Sequence, residues 1–149
     1  MRKLLLTLLL ACISLTYLGA QKAPIVIQVN AGSRAPYGTV QNLLVDASGR
    51  CSYNVDDVTG LQVSSSKFNI SKVQVDSFLK KANDIGFFKL QPTYSEGYDG
   101  SGVFMSLNYA GHKYHVDLIN RSVPEITTLL DMLNGFLAPR KVRIDYEQK

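Results

Sequence analysis

Residues 71–90, SKVQVDSFLKKANDIGFFKL, are the stretch from which the fold is read. Ser71 followed three places on by Gln74 is a capping box: the Ser hydroxyl takes a free backbone N–H at the helix start and the Gln side chain reaches back. A helix is predicted from that point. Val75, Phe78, Leu79, Ala82 and Ile85 recur at helical spacing on one side, and Asp76, Lys80 and Asp84 form i,i+4 charge pairs on the other. Gly86 stands where a left-handed residue closes a helix. Phe87, Phe88 and Leu90 then carry the apolar signal into the core as a strand.

Downstream, residues 91–102 (QPTYSEGYDGSG) lack periodicity and read as a loop. Residues 102–119 give a clear register. With Ala110-Gly111 as a two-residue turn, Val103 faces Leu118, Met105 faces Val116 and Leu107 faces Tyr114, while Ser106 faces His115 and Asn108 faces Lys113. A one-residue slip would pair apolar with polar faces. Ser122 with Glu125 reads as a second capping box, with Pro124 in the first helical turn. Ile126, Leu129, Leu130, Leu133 and Leu137 supply the apolar stripe of that helix, which is expected to end near Ala138-Pro139. The basic tail, residues 139–149, is expected to add a last short strand.

Upstream, residues 23–30 (APIVIQVN) suit a first strand, with Pro24 confined to its start. Residues 31–38 are a turn-rich connection. Residues 39–45 and 50–56 alternate around Asp46-Ala47-Ser48-Gly49 and predict a hairpin, with Gly49 supplying the positive φ. Residues 61–70, interrupted by Ser64, Ser65 and Ser66, predict a twisted or bulged edge strand. Strands, helix, hairpin and helix in this order show no βαβ alternation. The expected fold is therefore α+β, with two layers: an antiparallel sheet and two amphipathic helices packed on one of its faces.

The N-terminus resembles a secretory signal peptide, with Arg2 and Lys3 ahead of an apolar run from Leu4 to Leu18. That run is short of the roughly 20 residues a span requires. Cleavage is expected after Ala20, giving a signal peptide (1–20), one domain (21–138) and a tail (139–149), in a periplasmic or secreted protein without a transmembrane span. The rival reading is a lipoprotein anchored through Cys12, because Leu9-Leu10-Ala11-Cys12 resembles a lipoprotein cleavage box. Removing residues 1–20 from 149 leaves 129, one domain with one core. Removing Arg2 and Lys3 takes the basic count from 16 to 14, against 12 acidic residues. So small an excess gives no footing for nucleic-acid binding. Cys51 alone remains, which excludes an internal disulfide, and its alternation with Tyr53 and Val55 makes it a buried strand residue in preference to a reactive thiol.

The chemistry-bearing residues are sparse. His112 and His115 sit i,i+3 on a strand and point to opposite faces, so they do not share a metal. Gly97, Gly100 and Gly102 match neither a dinucleotide nor a phosphate-loop fingerprint. Asn69-Ile70-Ser71 and Asn120-Arg121-Ser122 match the glycosylation pattern, but each Ser already reads as a helix cap. No catalytic residue, metal or cofactor is assigned. The candidate binding residues are Tyr94, Glu96, Tyr98 and Asp99, because two tyrosines beside two acceptors on a loop form a composition found at recognition surfaces; the competing and favoured reading is that one Tyr folds back as a lid on the core and the Asp closes a turn. The fallback is the outer sheet face around Phe104 and His115. The expected function is a non-enzymatic binding module for a protein or glycan of the cell envelope. The alternative is a small hydrolase, or an inhibitor of one, whose site is not visible in sequence.

One resemblance adds to this reading. Ser71 with Phe78-Leu79 ahead of Gly86-Phe87-Phe88-Lys89-Leu90, then Tyr94, Asp99-Gly100, a hairpin and a Pro-initiated Leu-rich helix, resemble a domain-of-unknown-function family of small exported Bacteroidota proteins, the one numbered 6438. Pro36, Asp46, Gly49 and Tyr53 fit its first hairpin, so the likeness covers most of residues 25–138. Members often carry C-x-G-x-C-P ahead of that hairpin; here Arg34-Ala35-Pro36-Tyr37 has no Cys, so no thiol role transfers. The resemblance implies a compartment and a fold, and no activity.

Overall fold

The computed structural model describes residues 23–33, 38–97 and 100–146. Asp46 shows how the sequence builds the first turns. Its Oδ1 accepts from the Ser48 N–H (2.9 Å), the Ser48 hydroxyl (2.6 Å) and the Arg50 N–H (3.1 Å), and its Oδ2 accepts from Arg50 Nε at 2.7 Å. This closes the hairpin between β2 (Thr39–Asp46) and β3 (Arg50–Asp57), with Gly49 at φ 91° as expected. Asp57 repeats the device, since its Oδ1 accepts from the Thr59 N–H, the Thr59 hydroxyl and the Leu61 N–H. Asp-x-Ser/Thr-Gly therefore occurs twice, and the second copy turns the chain into β4 (Gln62–Asn69). A bulge at Val63 marks that edge strand, as the serine run predicts.

β1 (Ile25–Ser33) runs three residues further than expected, because Gly32 allows close approach to β2: a Cβ there would lie 2.2 Å from the Thr39 carbonyl oxygen. After β4 the capping box at Ser71 is present in both directions and starts α1 (Lys72–Asp84). Of the expected surface pairs Lys80 with Asp84 is present, whereas Asp76 turns to Lys72, at 2.6 Å, one turn earlier than expected. The GFFKL segment is not a strand. Residues Phe87–Lys89 form a 3-10 turn, and Phe87 and Phe88 meet Tyr114 edge-on at 6.1 and 6.4 Å. Burial of two adjacent rings on the same side suits a tight turn, whereas a strand would send them to opposite faces.

The segment read as loop contains β5 (Thr93–Ser95), which pairs in parallel with β7 (His112–Ile119). β6 (Ser101–Tyr109) and β7 form the last hairpin in the expected register: Val103 opposite Leu118, Met105 opposite Val116, Leu107 opposite Tyr114, Ser106 opposite His115 and Asn108 opposite Lys113. Ala110 (φ 50°) and Gly111 (φ 81°) both adopt the left-handed conformation that such a turn requires. α2 (Pro124–Leu137) follows, but its N-cap is Val123, not Ser122, and no side chain caps it. The cause is Pro124. The residue before proline is barred from helical geometry, so Val123 is extended (φ −126°, ψ 118°) and the helix cannot begin earlier.

The described residues thus form a mixed fold of one seven-stranded, mostly antiparallel sheet and two α-helices, with strand order β4-β3-β2-β1-β6-β7-β5. Ile27, Val29, Leu43, Met105, Leu107 and Val116 on the sheet join Val75, Phe78 and Ala82 of α1 and Ile126, Leu129 and Leu133 of α2 in one hydrophobic cluster. Residues 142–146 form no strand, contrary to expectation. They run extended and are fastened by a clamp: Asn134 Nδ2 donates to the Ile144 carbonyl (3.0 Å) and the Ile144 N–H donates to Asn134 Oδ1 (2.8 Å), with Ile144 only 2% exposed. The Tyr146 hydroxyl donates to the Arg121 carbonyl at 2.6 Å. Among the described residues no helix is long and apolar enough to cross a membrane.

Candidate functional site

Strand alternation divides the sheet residues between two faces. Ile27, Val29, Ala31, Leu43, Val45, Met105 and Leu107 are buried on one. On the other, Cα pairing aligns Asn54, Asn42, Asn30, Phe104 and Asp117 in one row across β3, β2, β1, β6 and β7. All five are half-buried. The next row holds Ser52, Leu44, Gln28, Ser106 and His115.

The polar groups of this face hold one another. Gln28 Nε2 donates to Asn30 Oδ1 (3.2 Å), Asn30 Nδ2 donates to Asn42 Oδ1, and Asn42 Nδ2 donates to Asp56 Oδ2 at 2.7 Å. Each amide has two donor hydrogens and two acceptor lone pairs, so a single chain of bonds uses only part of its capacity. Beside the row, the Phe104 and His115 rings stack with centroids 5.6 Å apart and planes inclined by 29°. His115 is exposed. The arrangement can offer fixed donors and acceptors next to an aromatic surface.

The loop residues lie elsewhere. Tyr94, on β5 opposite Leu118, is half-buried against the hydrophobic cluster, and its hydroxyl accepts the Gln91 N–H at 3.0 Å. Its ring closes over the core. Glu96 is exposed; its N–H donates to the Ile119 carbonyl (3.0 Å) and its Oε1 lies 3.7 Å from Arg121 Nε. Tyr98 and Asp99 lie outside the described residues. The structure thus places Tyr94 and Glu96 on one short segment without converging their side chains.

A groove of about 640 Å³ between α1 and the β6–β7 turn is lined by Pro24, Val26, Leu79 and Tyr109, and its Asp76 is already paired with Lys72. Among the described residues no group of three or more His, Cys, Asp or Glu side chains is placed to hold a metal ion. Cys51 is 4% exposed, and burial, aided by the nearby Asp46 charge, pushes its thiol up to about 11. The thiolate, the nucleophilic form, is then scarce at neutral pH. Cys51 is expected to resist an aromatic disulfide reagent in the native protein at pH 7.5 and to react fully in denaturant. Native reaction at the denatured rate would show that the thiol is not enclosed.

Sequence reasoning reached Phe104 and His115 through the hairpin register but missed the asparagine row. Its signal is a polar residue at alternate positions of β1 (Gln28, Asn30) and β3 (Ser52, Asn54, Asp56), with Asn42 standing between Val40 and Leu44 on β2, and it becomes a row only when the β1–β2 register is known. No protein-family model matches this chain, and no match is found among curated proteins.

Proposed function

We propose that the protein is a non-enzymatic binding module that takes its ligand on the polar face of the sheet, and that it works outside the cytoplasm after removal of its N-terminal segment. In this reading α1 and α2 form a second layer over the apolar face and leave the opposite face to the ligand. The observation that carries the proposal is the side-chain chain Gln28–Asn30–Asn42–Asp56 beside the Phe104–His115 stack. Mutual hydrogen bonding fixes those groups before any ligand arrives, which lowers the ordering cost of binding. Export is supported by Arg2 and Lys3 ahead of the apolar run from Leu4 to Leu18.

The test compares two variants in capture of ligand from envelope material of the native host. Phe104→Ala is expected to weaken capture about tenfold or more, as loss of a central aromatic anchor does, with little change in thermal stability. Tyr94→Ala is expected to lower thermal stability, because that ring covers core, and to leave capture intact. The reverse pattern would move the site to residues 91–97.

A further inference from the structure

We infer that the ligand of the polar face is a neutral polysaccharide lying across β3, β2, β1 and β6, an inference that rests on the reading of that face as the binding surface. Three observations on the face select this chemistry. Asn30, Asn42 and Asp56 sit on three successive strands, roughly 4.8 Å apart from strand to strand, and retain donor and acceptor capacity beyond their mutual bonds. A chain of hydroxyl groups, each both donor and acceptor, is the partner that uses such a row.

Phe104 stands next to Asn30 in the same row and stacks with the exposed ring of His115, so the pair offers an aromatic platform beside the amides. The carbon-bound hydrogens of a sugar ring present a matching apolar face, so one ligand satisfies the platform and the amides together. The charges complete the selection. On this face Asp117 lies in the row of Asn30 and Asn42, and Asp56 is bonded to Asn42; the described basic groups stand at the margins, Lys67 opposite Ser52 on the edge strand, Arg50 paired with Asp46 and Lys113 opposite Asn108, so the centre of the face does not favour a polyanion such as nucleic acid or a sulfated glycan. A protein partner is expected to bury a centre depleted of charged residues; here Asp117 lies in the central row and Asp56 is bonded to its Asn42.

The experiment is native gel electrophoresis of the purified protein through gels containing laminarin, xyloglucan or dextran sulfate, with sedimentation on insoluble cellulose and chitin. The expected result is retention by at least one neutral polysaccharide, weakened about tenfold in both Phe104→Ala and His115→Ala, with circular dichroism confirming that each variant is folded. His115 is exposed, so its variant keeps the test valid if Phe104→Ala fails to fold. Retention by dextran sulfate alone, or retention equal in wild type and both variants, overturns the inference. If no neutral polysaccharide retains the protein while both variants lose capture of a host protein, the glycan inference falls and the face remains the site. If the variants change neither, both readings fall.

Discussion

Phe78→Ala is expected to lower the free energy of unfolding by about 3–5 kcal/mol. The side chain is fully buried on α1, between Val75 and Ala82 on the same stripe, and it belongs to the cluster that joins both helices to the sheet. Removing the ring forfeits its transfer energy and leaves a cavity that close-packed neighbours fill only in part. Val73→Ala, on the exposed side of the same helix, is expected to change stability by no more than about 0.5 kcal/mol. Urea denaturation of both variants measures the difference. Equal effects would mean that the wrong stripe of α1 has been assigned to the core.

Asp46→Asn should cost about 2 kcal/mol at pH 7, and the cost should vanish in acid. Burial alone would raise the pKa of this carboxyl, which is 5% exposed. The hydrogen bonds from the Ser48 hydroxyl, the Arg50 guanidinium and the two backbone N–H groups outweigh that and hold it at about 2, below the ordinary 3.8. A group whose pKa is depressed by folding stabilises the native state above its unfolded pKa, and the contribution is lost as pH falls through the folded value. The window is therefore pH 4 down to 2. Wild type should lose about 2 kcal/mol more than Asp46→Asn across that window in denaturant titrations at fixed ionic strength. Parallel pH profiles would show that the carboxylate is not what closes the hairpin.

What was legible in the sequence was local. The β6–β7 register followed from two residues of turn and an alternation that a one-residue slip would have destroyed, and every expected pair is present. The cap at Ser71 followed from a four-residue pattern and is complete in both directions. The same four-residue pattern at Ser122 misled, because proline two places on dictates the conformation of Val123 and so the helix start. The GFFKL segment misled for a different reason: a short apolar run marks burial without marking backbone type. β5 was hidden because three residues are too few to show a period, and their partner lies on β7, beyond the intervening hairpin strand.

The site followed the same division. Phe104 and His115 share a hairpin, so their adjacency was readable. Asn30 and Asn42 meet across a connection whose length and turn type gave no register, and Asn30 meets Phe104 across about half the chain. No local propensity encodes such a pairing. The composition of residues 91–102 allows both a tyrosine that faces a partner and one that folds back as a lid on the core, and Tyr94 takes the second place.

The placement of β1 has a consequence for the order in which this molecule can be made. Its two neighbours are β2, which follows at once, and β6, whose Leu107 pairs with Ile27 only after most of the chain exists. During synthesis, an N-terminal sheet of four strands would stand with its most apolar strand as a bare edge. Such an edge invites pairing between chains. Keeping the polypeptide unfolded until residue 109 has emerged would protect the yield, and fragments ending before β6 are the ones that would collect as insoluble material.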